Sequence, residues 1–172
     1  MRPHFSVIIP AYNSEKYIRK GLDSIRAQTF TDYELIVVCD SCEDNTQKVA
    51  EEYGARTCAV NYHLDGLTRN HGMDMATGEW LLFMDDDDWF LHEYVFQQIA
   101  DMAGKHDEDA LIFAFVSGLG SYCFSMPDNV HVPVWCKCWR ADFVKDVRFS
   151  NRKLWSDCDF QNKVFSKPHK FV

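Results

Sequence analysis

The run Glu34-Leu35-Ile36-Val37-Val38-Cys39 constrains this chain more than any other feature, because its apolar residues are continuous rather than alternating. A strand with one wet face alternates; a strand covered on both faces does not, and that is the pattern of a parallel sheet layered between helices. Phe5-Ser6-Val7-Ile8-Ile9-Pro10 is a second β-rich run, halted by proline as a strand entering a loop would be. Arg56 to Val60, the strongly apolar Trp80 to Met84, and Leu111 to Val116 read as further strands. Between them the spacing turns helical. Ser14 can cap a helix carrying Tyr17, Ile18, Leu22 and Ile25; Asp44 or Asn45 opens one through Val49, Ala50 and Tyr53 that Gly54 can end. Leu67 to Ala76, about Trp89 to Ala103, and Asp157 to Phe165 predict three more. Strand and helix alternate, which defines an α/β fold with a mainly parallel central sheet and flanking helices. Beyond Gly118 the pieces are short, aromatic and rich in Cys, and they predict no definite element before the last helix.

A chain of 172 residues with 47% hydrophobic residues suits one domain with a full core. Lys and Arg total 18 against 26 Asp and Glu, and the formal charge of -8 argues against a nucleic-acid partner. No apolar run reaches the length of a transmembrane segment, and Met1-Arg2-Pro3-His4 leads directly into a strand without a signal-peptide pattern. The expectation is a cytoplasmic protein, or one peripheral to a membrane. Seven cysteines, an odd number, predict free thiols. A four-thiolate zinc site from Cys39, Cys42, Cys136 and Cys138 is the less favoured alternative.

Ligands of open α/β sheets sit beyond the carboxyl ends of the strands. Asp40 and the run Asp85-Asp86-Asp87-Asp88 both fall at such ends. Four adjacent carboxylates are costly together unless solvated or neutralised by a cation, and oxygen-only donors suit Mg²⁺ or Mn²⁺. Such a cation would let an acidic protein hold a diphosphate. The competing reading is an acidic turn favoured by the dipole of the helix that follows. An EF-hand is excluded, because the loop lacks its glycine and its ligand spacing. Gly118-Leu119-Gly120 lacks the third glycine and the helix of a phosphate loop.

Motif order narrows the choice. Val7-Ile8-Ile9-Pro10-Ala11-Tyr12-Asn13, Leu22-Asp23-Ser24-Ile25-Arg26-Ala27-Gln28-Thr29, Thr68-Arg69-Asn70-His71-Gly72, and Gly78-Glu79-Trp80 through Asp85-Asp86-Asp87-Asp88-Trp89 follow one another along nearly the whole chain. In that order they resemble a family-2 glycosyltransferase of the GT-A fold, a single Rossmann-like domain, with the last segment similar to the lead into a DxD motif. The resemblance implies one catalytic domain over residues 1–172, nucleotide-binding to about residue 116 and acceptor-side from 117. It implies that Pro10, Ala11 and Tyr12 border the nucleotide base, that Asp40 accepts a hydrogen bond from it, and that Arg69 contacts base or phosphate. Asp85 and Asp86 would lie on the nucleotide sugar, Asp85 at the ribose or a metal-bound water, and Asp87 would ligate Mn²⁺ or Mg²⁺. Trp155-Ser156-Asp157-Cys158-Asp159-Phe160 is similar to the family's Glu-Asp motif and makes Asp157 the general base, with Asp159 as fallback.

The chain departs from that pattern at Cys39-Asp40-Ser41-Cys42, which stands for Asp-Asp-Gly-Ser, and at Ser156, which stands for Glu. It ends soon after the motif, which predicts a C-terminally truncated or minimal core. The activity so implied is metal-dependent, inverting, hexosyltransferase-like transfer from a nucleoside diphosphate sugar, a UDP-sugar first, to a carbohydrate or lipid-linked glycan acceptor in polysaccharide biosynthesis. The alternatives are a nucleotide-sugar binding module without turnover and a nucleotidyltransferase. Trp135 and Trp139 are expected in the core ahead of stacking on a sugar. His63, His71 and His131 are expected as polar surface or hydrogen-bonded residues, and Lys16, Lys20 and Arg26 as the solvated face of a helix.

Overall fold

Two helical layers enclose a six-stranded sheet in the computed structural model, which describes residues 2–103, 108–113, 115–116, 122–123, 134–168 and 170. In chain order the elements are β1 (Phe5–Ala11), α1 (Ile18–Arg26), β2 (Tyr33–Asp40), α2 (Thr46–Glu52), β3 (Arg56–Val60), α3 (Asp65–Met75), β4 (Trp80–Phe83) and α4 (Val95–Ala103). There follow β5 (Ala110–Ile112), β6 (Phe115–Val116), β7 (Tyr122–Cys123), a 3-10 turn (Val134–Cys136), β8 (Lys137–Arg140), α5 (Ala141–Val144) and α6 (Ser156–Phe165). The strand order is β3-β2-β1-β4-β8-β5, with β6 and β7 forming a separate pair. β3, β2, β1 and β4 run parallel, and β8 pairs antiparallel with both neighbours, so the sheet is mainly parallel as expected.

Successive strand residues face opposite sides, and the two layers divide accordingly. Val7, Ile9, Val37, Trp80 and Leu82 pack against Leu22 and Ile25 of α1, Val49 of α2 and Phe96 of α4. Ile8, Ile36, Val38, Leu81 and Phe83 pack against Met73 of α3 and Phe160 and Val164 of α6. Gly72 lets α3 lie close on the sheet, since a Cβ there would overlap Ile8 Cγ2. This close approach fixes the height of Arg69, three residues earlier in the same helix.

Several boundaries move for identifiable reasons. α4 starts at Val95 instead of about Trp89, because the backbone of 90–93 is tied to the end of α1 instead. Ser24 Oγ accepts from the Phe90 N–H at 3.0 Å, Gln28 Nε2 donates to the His92 carbonyl at 2.9 Å, and the Thr29 N–H donates to the Glu93 carbonyl at 2.8 Å. Ser14 makes no side-chain cap; α1 begins at Ile18, after a turn closed by the Ser14 carbonyl. The strand expected over Leu111 to Val116 is split into β5 and β6, Phe113 donating its N–H to the Cys136 carbonyl at 3.1 Å. β8, in the interior of the sheet, had no counterpart among the expected elements. The alternative zinc set is not assembled: β1 and β4 separate β2, which carries Cys39, from β8, which carries Cys138, and neither of these two thiols is in a disulfide. Gly118-Leu119-Gly120 and His131 lie outside the described residues. Trp139 is core, edge-on to Phe160 at 5.7 Å. Lys16, Lys20 and Arg26 are exposed, and His71 accepts or donates a 3.3 Å hydrogen bond with the Tyr62 hydroxyl. Among the described residues no helix is long and apolar enough to cross a membrane.

Candidate functional site

The carboxyl ends of β1, β2 and β4 open onto a cleft of about 300 Å³ lined by Pro10, Ala11, Tyr12, Asp40, His63, Leu64, Asp65, Thr68 and Asp86. Pro10 and Ala11 end β1, and Tyr12 follows with its ring exposed. The Tyr12 N–H donates to Asp86 Oδ2 at 3.1 Å, which ties the loop after β1 to the acidic run after β4.

Asp40 is in the cleft wall, but its carboxylate is already occupied. Oδ1 accepts from the Tyr62 and His63 N–H groups at 2.8 and 3.0 Å and from Ser41 Oγ at 3.1 Å. Oδ2 accepts from the Leu64 N–H at 3.1 Å and Thr68 Oγ1 at 2.9 Å. These five donors fill the acceptor capacity of a carboxylate. Burial works against the charge, yet the His63, Thr68, Tyr62 and Leu64 donors outweigh it and leave the Asp40 pKa lowered. Asp40 thus holds the segment 62–64 in place, a task the sequence did not suggest. Ser41, at φ 58°, adopts the left-handed conformation where the family pattern has glycine, and His63, at φ 51°, adopts it across the cleft.

Arg69 joins the cleft to the last helix. It is 3% exposed, and its guanidinium meets three carboxylates: Asp65 and Asp157 through Nη1, the latter at 3.5 Å, and Asp85 through Nη2. Burial opposes its charge, but Asp85, Asp157 and Asp65 together raise its pKa above the ordinary value. Its Nε has no hydrogen-bond partner among the described residues. Asp65 was not singled out in the sequence; the signal available was its position four residues before Arg69, one helical turn away.

The acidic run divides by environment. Burial raises the pKa of Asp85, with Asp65 and Asp157 adding to the effect and Arg69 opposing it. Burial also raises Asp86, against the Tyr12 N–H. Asp88 is pushed up to about 6 by burial and then by Asp85, Asp87 and Asp86. Asp87 is exposed, and among the described residues neither Asp87 nor Asp88 has a salt bridge. No group of three or more potential metal-ligating side chains is assembled among the described residues. The donor chemistry still fits a hard cation, which binds through one or two carboxylates and completes its shell with water and substrate phosphate.

Asp157 stands in the first turn of α6, Oδ2 accepting from the Val134 N–H at 3.4 Å. Asp159 faces elsewhere, toward Arg152 Nε at 3.4 Å. Trp155 precedes the helix at φ 67° with its side chain exposed. Seven of the nine predicted site residues therefore border the cleft or its Arg69 bridge directly: Pro10, Ala11, Tyr12, Asp40, Asp86, Asp85 and, at the far side of the bridge, Asp157. Arg69 is the bridge, and Asp87 is at the rim of the acidic run.

This is the GT-A architecture, and the chain belongs to glycosyl transferase family 2, whose family model matches residues 6–167. Glycosyltransferase GlyA of Streptococcus pneumoniae serotype 4 is 28% identical over 200 residues, covering 97% of this chain and 29% of its own. The poly(ribitol-phosphate) beta-N-acetylglucosaminyltransferase TarS of Staphylococcus aureus strain Mu50 is 35% identical over 126 residues, covering 67% of this chain and 22% of its own. The crystal structure of S. aureus TarS 1-349 in complex with UDP superposes with a TM-score of 0.85 at 26% identity, over 98% of this chain and 60% of that one. In complex with UDP-GlcNAc the same protein gives a TM-score of 0.78 at 26% identity, over 91% and 53%. The chain thus spans less than a third of the length of these two curated relatives.

Proposed function

We propose that this chain is the catalytic domain of a metal-dependent, inverting glycosyltransferase that moves a sugar from a nucleoside diphosphate donor, a UDP-sugar, to a hydroxyl of a carbohydrate or lipid-linked glycan. The observation that carries the reading is the Arg69 bridge, which ties Asp85 at the end of β4 to Asp157 at the start of α6 beside a cleft of nucleotide-binding position. TarS, solved with UDP and with UDP-GlcNAc, supports the choice of donor. The base would enter between Tyr12 and the 62–64 segment, with Asp40 holding that segment.

Asp157 takes the proton of the acceptor hydroxyl as its oxygen attacks the anomeric carbon, and the bond from that carbon to the diphosphate breaks in the same step. A single displacement inverts the anomeric centre. Arg69 keeps the carboxylate of Asp157 directed. A divalent cation held at Asp87, with Asp85 and Asp88 close by, would supply positive charge for the departing diphosphate. The relief it would give to the crowded carboxylates, Asp88 above all, supports this assignment.

The test is a thermal-shift and calorimetric screen of UDP, GDP and their sugar conjugates with and without Mn²⁺. UDP binding strengthened by Mn²⁺, and release of UDP from UDP-GlcNAc, are the expected results. Pyrophosphate release would indicate a nucleotidyltransferase, and binding without turnover of any sugar nucleotide a binding module.

A further inference from the structure

Lys137 is fully buried, 0% exposed, and the reaction above gives it no task. Its Nζ lies 3.7 Å from Cys136 Sγ, its one hydrogen-bond partner among the described residues, and it has no salt bridge among them. Removing an ammonium from water costs several kcal/mol, on the order of far more than a thiol contact returns. Its position in the sheet narrows which negative charge can offset that cost. Lys137 and Trp139 are two apart on β8 and so share a face. Trp139 packs in the layer of α3 and α6, with its ring 5.7 Å from Phe160 of α6. Leu82 pairs with Cys138 in antiparallel register, so Lys137 lies beyond Trp139 toward the carboxyl end of β4, where the acidic run begins.

Phe160 and Asp157 are three apart on α6 and share a face of that helix. Asp157 is the member nearer the site, and the turn leading into β8 touches it through the Val134 N–H. The ammonium and the carboxylate therefore occupy the same end of the same layer. Burial lowers the pKa of Lys137, and Cys136, Asp157 and Cys158 oppose that shift, Asp157 being the carboxylate among them.

We propose that Lys137 is a positioning residue for the transfer reaction, a buried counter-charge beneath Asp157 that works with Arg69 to hold the carboxylate in place. The inference rests on the reading of Asp157 as base. Arg69 reaches Oδ1 from α3 and Val134 reaches Oδ2 from the turn before β8, and Lys137 supplies charge from below.

A double-mutant cycle on the full chain tests it, with Lys137→Met, Asp157→Asn and the double variant compared by denaturant unfolding. Coupling between the two groups makes Asp157→Asn more destabilising with Lys137 present than with Met, by about tenfold or more in the unfolding equilibrium constant. Should Lys137→Met fail to fold, Lys137→Gln takes its place in the cycle. The second readout is UDP release from UDP-GlcNAc: Lys137→Met lowers kcat by about tenfold or more while KM and the calorimetric Kd for UDP stay within about twofold, and Lys137→Arg recovers part of the loss. Additive destabilisation, or wild-type kcat in Lys137→Met, overturns the proposal and leaves Lys137 as a partner of Cys136. A wild-type chain that binds no UDP instead overturns the glycosyltransferase reading, and the unfolding cycle then decides the Lys137–Asp157 pairing alone.

Discussion

Replacing Asp40 by Asn tests its structural task in the cleft wall. The carboxylate accepts three backbone N–H groups and two hydroxyls, distributed over both oxygens. An amide of the same size keeps one acceptor oxygen and turns an NH₂ toward the donors that faced the other, so about half the bonds are lost. Each bond to a charged acceptor contributes about 1.5–3 kcal/mol, and water from the cleft replaces part of what is lost. The expected cost is about 3 kcal/mol, a fall in Tm of about 6–12 °C for a domain of this size. The pH dependence fixes the sign. The folded-state pKa of Asp40 is lowered, so its stabilisation is complete above the ordinary carboxylate value of about 4 and is lost as pH falls through the lowered folded value. Urea unfolding of wild type and Asp40→Asn at pH 7 and at successively lower pH reads this directly: the gap between them closes in acid. A cost under about 1 kcal/mol at pH 7, or a gap indifferent to pH, would refute the account of Asp40 as the anchor of residues 62–64.

Three further outcomes are expected. Asp157→Asn leaves UDP affinity intact and lowers transfer by about a hundredfold or more, whereas Asp159→Asn, which removes only the partner of Arg152, has a milder effect; measured rates in the reverse order would move the base by two residues. Asp87→Asn, or chelation in the wild type, weakens UDP binding in the presence of Mn²⁺ without changing thermal stability in its absence, because Asp87 is exposed; affinity indifferent to both would exclude a metal at this position. Gly72→Ala forces α3 away from Ile8 and costs about 1–3 kcal/mol by overpacking, displacing Arg69 as well; unfolding and UDP calorimetry should both register the change, and a neutral variant would show that α3 is free to shift.

The central strands were legible in the sequence because their signal is local: an uninterrupted apolar run such as Leu35 to Val38 describes its own burial on both faces. The same holds for the amphipathic spacing of α1 and for the placing of Asp40 and Asp85 to Asp88 at strand ends, since a parallel sheet brings its carboxyl ends to one edge. β8 was not legible. Four residues reading Lys-Cys-Trp-Arg have no strand periodicity of their own, and they become a strand because β4 and β5 offer backbone groups on either side. The start of α4 was likewise decided at a distance, by Ser24 and Gln28 capturing the backbone of 90–93.

The site divides along the same line. Motif order picked out Tyr12, Asp40, Arg69, Asp85 and Asp157 as separate residues of a kind. Tertiary structure alone brought Asp65, Asp85 and Asp157 around one buried guanidinium, turned Asp40 into an anchor for the loop opposite it, and carried Lys137 into the layer beneath α6. Local patterning determines which segments can bury which faces; long-range packing determines which charges share a low-dielectric space, and the energy of a charge depends on its neighbours far more than on its place in the chain.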